Sequence, residues 1–311
     1  LRFGIFREGW GLMRMIGSHH EIVGIAEDAP RNAPRKRWRI YDAVKLILHT
    51  ESLLTLCKSR GIPYFYHQDG NQEIFESWVR SKKPDIIVVY SMSRLLKEEI
   101  FSIPKYGTIN LHPSLLPSYR GPNPIFWMYY NMEKKGGITI HYVDKGEDTG
   151  DIIYQESYDI SPGSSGPDLQ SEVVSTIGVP LLIKAIKAIE EGYAPRIPQP
   201  EGSPTLRARN ILPDEQKNII DWKNWDIKRI WHLMRGYANS MDLIEPPRGI
   251  YAGQRWTVEG YTKCDTSKYS KGIVLKNSDG YYIAGSNGLI QLSINFKLKR
   301  TLGYVLNRIM R

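Results

Sequence analysis

The chain has 311 residues, 41% hydrophobic and 24% charged, an ordinary globular composition, and no apolar run long enough to span a bilayer as a helix. Two cysteines, Cys57 and Cys264, are too few for a disulfide framework and lack metal-ligand spacing, so a reducing cytoplasm is expected. The net charge of +9 is uneven: residues 1–200 carry 24 Lys and Arg against 23 Asp and Glu, residues 201–311 carry 18 against 10. A basic final third suits a polyanion such as RNA, but the charges are scattered rather than clustered, as on any solvated surface.

RFGIF (2–6) reads as a first buried strand, without the pattern of a signal peptide. EIVGIA (21–26) is a second. Residues 40–60 place apolar side chains at helical spacing, and NQEIFESWVRS (71–81) is a shorter helix. PDIIVVYS (84–91) is the strongest strand signal, continuous, β-branched and opened by Pro84. GTINLH (107–112), ITIHYV (138–143) and DIIYQESYDI (151–160) follow as strands, and residues 171–192 form a long amphipathic helix with a kink at Pro180. Strands alternating with helices predict an α/β fold, a mainly parallel Rossmann-like sheet with helices on both faces. Residues 194–216, rich in Pro and polar side chains, read as a linker. WDIKRIWHLMRGY (225–237) is a helix. The remainder is short strands punctuated by SDG and SNG, the turn chemistry of antiparallel hairpins, which predicts a small OB-like β-barrel. The expected division is a catalytic domain over 1–193, the linker, and a β-rich domain over 217–311.

Asn110 and His112 lie two apart on a strand and so share a face, and Pro113 ends that strand. In open parallel sheets ligands bind at such strand tips. Asp148 lies in VDKGEDTGD, a glycine-bracketed loop between two strands. A carboxylate there can orient a histidine and support its charged form, and an Asn amide can donate to a developing oxyanion. No Ser or Cys sits in a nucleophile setting, which points to direct acyl transfer to an amine rather than a covalent intermediate. Spacing alone leaves open that Asn110 and His112 are satisfied polar groups at a strand end and that Asp148 only forms a turn. His141 reads as a structural histidine. His49, His67 and His232 lack ligand spacing, so no metal is expected.

The exact run N-x-H-P-S-L-L-P at 110–117, Tyr-Arg-Gly at 119–121 and D-T-G-D at 148–151 resembles the N10-formyltetrahydrofolate-dependent formyltransferases. The resemblance implies Asn110, His112 and Asp148 as catalytic residues and N10-formyltetrahydrofolate as co-substrate, with no metal. MSRLLKEEIF (92–101) resembles the segment whose backbone holds the pterin ring, which implies Ser93, Arg94, Leu95 and Leu96. The loop Asp144–Asp148 would close the pocket from the other side, adding Asp144 and Glu147. Trp10, Ser114, Tyr119, Arg120 and Gly121 are candidates for touching the acceptor. The purine-synthesis members carry a phosphate-binding turn after strand one that is REGWG here, which disfavours that acceptor. RGPNPIFWMYY (120–130) looks more like the sugar N-formyltransferases, so a nucleotide-linked dideoxy amino sugar of surface glycan or lipopolysaccharide synthesis ranks first. Methionyl-tRNA ranks second: the length, the basic last third and RNAPRKRWR (31–39) suit it, while the absent Gly-Thr-Pro turn and His112-Pro113-Ser114 in place of His-Gly-Ser depart from it. A formyltetrahydrofolate hydrolase ranks lower, because those relatives carry a further domain ahead of strand one. A non-catalytic RNA-binding protein would leave Asn110, His112 and Asp148 together unexplained. A second copy of the chain is a candidate partner, and no membrane is expected.

Overall fold

The structure is a computed structural model that describes residues 20–28, 53–92, 94–238, 240–294, 296–298 and 300–301. The expected first strand, Trp10, the basic run 31–39, the first part of the helix over 40–60, and Ser93 lie outside the described residues. The chain divides into two compact units. The first comprises the described residues up to Pro124, with Lys135–Tyr158 and Gln170–Arg209; the second comprises Ile125–Lys134, Asp159–Leu169 and the described residues from Asn210 onward.

In the first unit, β1 (Ile25–Glu27) pairs in parallel with β2 (Tyr64–Tyr66), and α1 (Leu53–Ser59) precedes β2. Helix α2 (Gln72–Lys82) ends on Lys83, whose left-handed backbone (φ 48°) lets its N–H reach the Arg80 carbonyl, with Pro84 next to prevent continuation. Strand β3 (Ile87–Tyr90) is buried along its whole length, as its unbroken apolar run requires of a strand covered on both faces. It pairs in parallel with β4 (Thr108–His112). Strand β5 (Lys135–Tyr142) then runs antiparallel to β4, and β6 (Ile152–Asp159) lies at the far edge. The sheet is therefore mixed where a mainly parallel one is expected.

The predicted kink at Pro180 is a π-turn. Residues 166–190 run as helix Gly166–Val173, a wide turn Val174–Gly178, and helix Val179–Glu190. The wider turn accommodates the missing Pro180 N–H. Gly178 sits where a Cβ would come within 3.0 Å of Leu111 Cδ1, so the helix lies directly on the apolar face of β4. That contact dedicates one face of β4 to the core and leaves Asn110 and His112 on the other.

The second unit is organised by helix Ile227–Tyr237, capped by the Asp226 carboxylate on Lys228 N–H at 2.9 Å, with Ile227, Ile230, Leu233, Met234 and Tyr237 buried. Tyr129 stacks on His232 at 4.5 Å and its hydroxyl lies 2.6 Å from Ser164 Oγ. Strands β7 (Trp256–Lys263), β8 (Val274–Asn277), β9 (Gly280–Ala284) and β10 (Gly288–Ile294) form an antiparallel sheet in the order β7-β10-β9-β8. The expected hairpins are present at 277–280 and 284–289. The expected OB-like barrel is not: among the described residues β7 and β8 remain edges of an open sheet, because four strands, one of them only four residues long, do not curl far enough to meet. No helix among the described residues is long and apolar enough to cross a membrane.

Candidate active site

Strand β4 places Asn110 directly opposite His141 on β5 and His112 opposite Thr139. After Pro113 the chain doubles back. Thr139 Oγ1 donates to the Ser114 carbonyl at 2.6 Å and accepts Leu116 N–H at 3.1 Å, and Gln155 Nε2 donates to the Leu116 carbonyl at 2.8 Å. The return brings the Tyr119 carbonyl to 3.0 Å from His112 Nε2. A carbonyl only accepts, so Nε2 carries the hydrogen and Nδ1 is the basic nitrogen, 3.5 Å from Asp148 Oδ2. His112 is buried, which pushes its pKa down against the opposing pull of Asp148. The resting ring is therefore neutral, with an available lone pair beside a carboxylate.

Asp148 adopts a left-handed backbone (φ 56°), as does Tyr119 (φ 59°). Burial favours the protonated acid, but the positive charge that His112 and His141 take up in acid and the bond from Gly121 outweigh it and hold the carboxyl well below the usual range. Oδ2 accepts Gly121 N–H at 2.9 Å, and Oδ1 accepts Asn110 Nδ2 at 3.1 Å. His141 Nδ1 donates to the Tyr142 carbonyl at 2.8 Å, which leaves His141 Nε2 to accept the second Asn110 N–H at 3.1 Å. Both Asn110 donors are thus engaged in this arrangement. His141, read as structural from the sequence, belongs to the cluster. Its alternation along ITIHYV puts it on one face, but only the β4–β5 register decides that the face is Asn110's.

The other expected residues fall into two groups. Asp144 Oδ1 accepts Gly146 N–H at 3.0 Å and Thr149 Oγ1 at 2.6 Å, so it preforms its own loop. Glu147 is bonded by Arg207 (Nη2 to Oε1, 2.6 Å), and Lys145 pairs with Glu98 at 3.0 Å. Leu95 is 64% exposed in a stretch that is neither helix nor strand, whereas Leu96 packs against the core of Phe75, Val79 and Ile100. Arg94 pairs with Asp69, and its Nε is buried without a partner among the described residues.

Ser114, Tyr119, Arg120 and Gly121, expected against the acceptor, frame the site. Ser114 is fully buried and its hydroxyl donates to the Ser118 carbonyl at 2.7 Å. The Arg120 guanidinium is buried, bonding Gln199 Oε1 at 2.9 Å and the carbonyls of Pro200 and Glu201 at 2.9 and 3.1 Å. A loop that reverses beside a buried histidine must satisfy its polar groups internally. For Arg120 and the Tyr119 N–H the partners come from residues 197–208, part of the expected linker, which instead belong to the first unit. Ile197 bridges to Ile152, Thr205 Oγ1 accepts Tyr119 N–H at 2.7 Å, and Ala208 bonds both Arg120 and Asn123. Nothing in the Pro-rich composition signals this.

A profile of the family described as formyl transferase matches residues 14–186. This chain belongs to the formyl transferase family. Family members transfer formyl groups, with N10-formyltetrahydrofolate as donor, and this chain is an enzyme of that kind. It is 38% identical over 234 residues to the methionyl-tRNA formyltransferase of Carboxydothermus hydrogenoformans, which covers 75% of this chain and 69% of that one. It is 31% identical over 225 residues to that of Pelotomaculum thermopropionicum, covering 72% and 67%. Among solved structures it shares its fold with an N-formyltransferase from Helicobacter canadensis crystallised with folinic acid and dTDP-3-aminofucose, at 19% identity, TM-score 0.60, covering 93% and 96%. It also matches HypX from Aquifex aeolicus with tetrahydrofolic acid, at 19% identity and TM-score 0.53 over 76% of this chain, which spans 40% of HypX.

Proposed function

We propose that this formyltransferase moves the formyl group of N10-formyltetrahydrofolate onto the primary amine of a nucleotide-linked dideoxy amino sugar, with Asn110, His112 and Asp148 as the catalytic residues. The observation that supports the chemistry is the convergence of a neutral buried His112, an ionised Asp148 and the Asn110 amide at one strand tip. The amine arrives uncharged and attacks the formyl carbon. His112 Nδ1 takes the proton the amine sheds, and the imidazolium is stabilised by Asp148. As that carboxylate turns to the imidazolium, one Asn110 N–H passes from it to the oxyanion. His112 then returns its proton to N10 as the carbon–nitrogen bond to tetrahydrofolate breaks. Irregular backbone at 94–97 and the preformed 144–148 loop suit the pterin ring.

The sugar acceptor is supported by the run RGPNP after the site and by how the second unit spends its basic residues. Arg229 lies on the Trp225 ring at 3.8 Å and donates to the Tyr130 carbonyl. Arg235 donates to the carbonyls of Gly163 and Val258, and Lys271 to that of Thr266. Lys217 and Lys263 pair with Glu245 and Asp226 at 2.6 and 2.7 Å. Cations bound to carbonyls and carboxylates contribute little to a phosphate-tracking surface. The second reading, methionyl-tRNA, is favoured by the names of the sequence relatives. The test is formyl transfer from N10-formyltetrahydrofolate to a panel of nucleotide-linked 3- and 4-amino-dideoxysugars beside methionyl-tRNA. Turnover of a sugar alone supports the first reading, and turnover of the tRNA alone overturns it.

A further inference from the structure

Asp148 is gripped twice, by its carboxylate and by its main chain, and the second grip comes from outside its loop. We propose that Gln199 is a positioning residue for formyl transfer: its amide clamps the Asp148–Gly150 turn to Arg120 and so sets the distance between the Asp148 carboxylate and His112. Gln199 Nε2 donates to the Asp148 carbonyl at 3.0 Å and to the Gly150 carbonyl at 2.7 Å. Its Oε1 accepts Arg120 Nη2 at 2.9 Å and Nε at 3.3 Å. Both hydrogens and both lone pairs of one side-chain amide are therefore in use, a set no other residue type of that length supplies.

The clamp joins the two sides of the site. Arg120 lies between Tyr119, whose carbonyl holds His112 Nε2, and Gly121, whose N–H holds Asp148 Oδ2. Asp148 itself occupies a left-handed conformation that a non-glycine residue keeps only when its surroundings over-determine it. Gly150 permits the close approach of the turn to the Tyr142 carbonyl, where a Cβ would collide with backbone. Elsewhere the same strap is anchored independently, by Ser203 Oγ on the Pro117 carbonyl at 2.8 Å and by Thr205 on Tyr119. Gln199 is the contact that reaches the carboxylate-bearing turn from its main-chain side.

This inference rests on Asp148 and His112 handling the proton, and the variants separate the two. Gln199→Glu keeps an acceptor for Arg120 but cannot donate to two carbonyls, so it spares the strap and releases the turn. Gln199→Glu and Gln199→Ala are both expected to lower kcat by about 10²-fold, with the KM for N10-formyltetrahydrofolate changed by less than about twofold. Ser203→Ala, which loosens the strap at Pro117, is expected to keep kcat within about twofold of wild type. An acceptor-independent readout is the NMR titration of the His112 ring, which moves to lower pH in the uncharged variant Gln199→Ala as the Asp148 carboxylate drifts away. Wild-type kcat in Gln199→Glu or an unmoved His112 titration in Gln199→Ala overturns the proposal, as does a loss in Ser203→Ala equal to that in Gln199→Ala. Asp148→Asn is run alongside: if it stays fully active, the proton-handling reading fails; if it is inactive while Gln199→Glu is active, only the role of Gln199 fails.

Discussion

At the scale of the residue, the proposed role of His112 depends on the charge of Asp148. Burial alone makes His112 a poor base, because its charged form loses water. The neighbouring carboxylate opposes that loss, which in the proposed mechanism favours proton uptake from the incoming amine at the moment of attack. The sign is definite. Removing the charge in Asp148→Asn lowers the His112 pKa further, so the acidic limb of the kcat/KM–pH profile, which follows deprotonation of His112, moves to lower pH. The maximal rate falls as well, by about 10³–10⁴-fold if the pair behaves as other oriented histidine–carboxylate pairs do. A profile between about pH 5 and 8 checks both, and a limb that stays in place would remove Asp148 as the charge partner. Asn110, His112 and Asp148 were legible because residue type and strand-tip position are local properties. His141 was not, because its place beside Asn110 is a cross-strand register set by pairing between distant segments.

At the scale of the element, β4 works because its two faces have different duties. Leu111 is pressed by Gly178 of the π-turn on one side, while Asn110 and His112 are served by β5 and the returning loop on the other. The helix Ile227–Tyr237 shows the same economy in the second unit, with His232 used as an apolar ring with one polar edge. It stacks on Tyr129, accepts Gly163 N–H at 2.9 Å through Nδ1, and is pushed down to about 4 by burial and then by Lys228. Above its ordinary pKa of 6.5, folded and unfolded chains are both neutral there. Between 6.5 and about 4 the unfolded chain binds a proton that the folded one refuses, so stability falls with pH by up to about 3 kcal/mol. Urea midpoints across that window are expected to drop in the wild type and to flatten in His232→Gln, which retains an acceptor for Gly163. Equal slopes would show that other groups control acid lability.

At the scale of the whole molecule, the acceptor is a question about charge. A protein that tracks a tRNA backbone releases counterions, and its apparent affinity falls by about 10³-fold or more between roughly 50 and 200 mM salt. A nucleotide-linked sugar presents one diphosphate, so kcat/KM is expected to change by less than about tenfold over the same range. Measuring kcat/KM for the active acceptor at both salt concentrations distinguishes an extended polyanion surface from a single-phosphate site. The +8 balance of the last third, 18 against 10, does not decide this by its size, because several of those cations hold carbonyls and carboxylates within the second unit.

The sequence by itself determined the α/β class, the buried strand Ile87–Tyr90, the hairpins of the second unit, and the three polar residues that meet at the tip of β4. These follow from periodicity, turn chemistry and a motif contained in short stretches. Only the tertiary structure decided that β5 runs antiparallel and delivers His141, that four strands form an open sheet, and that residues 197–208 hold both loops of the site. Each of these depends on hydrogen bonds between segments far apart in the chain, such as Gln199 with Asp148 and Arg120, and no local pattern encodes a partner at that distance.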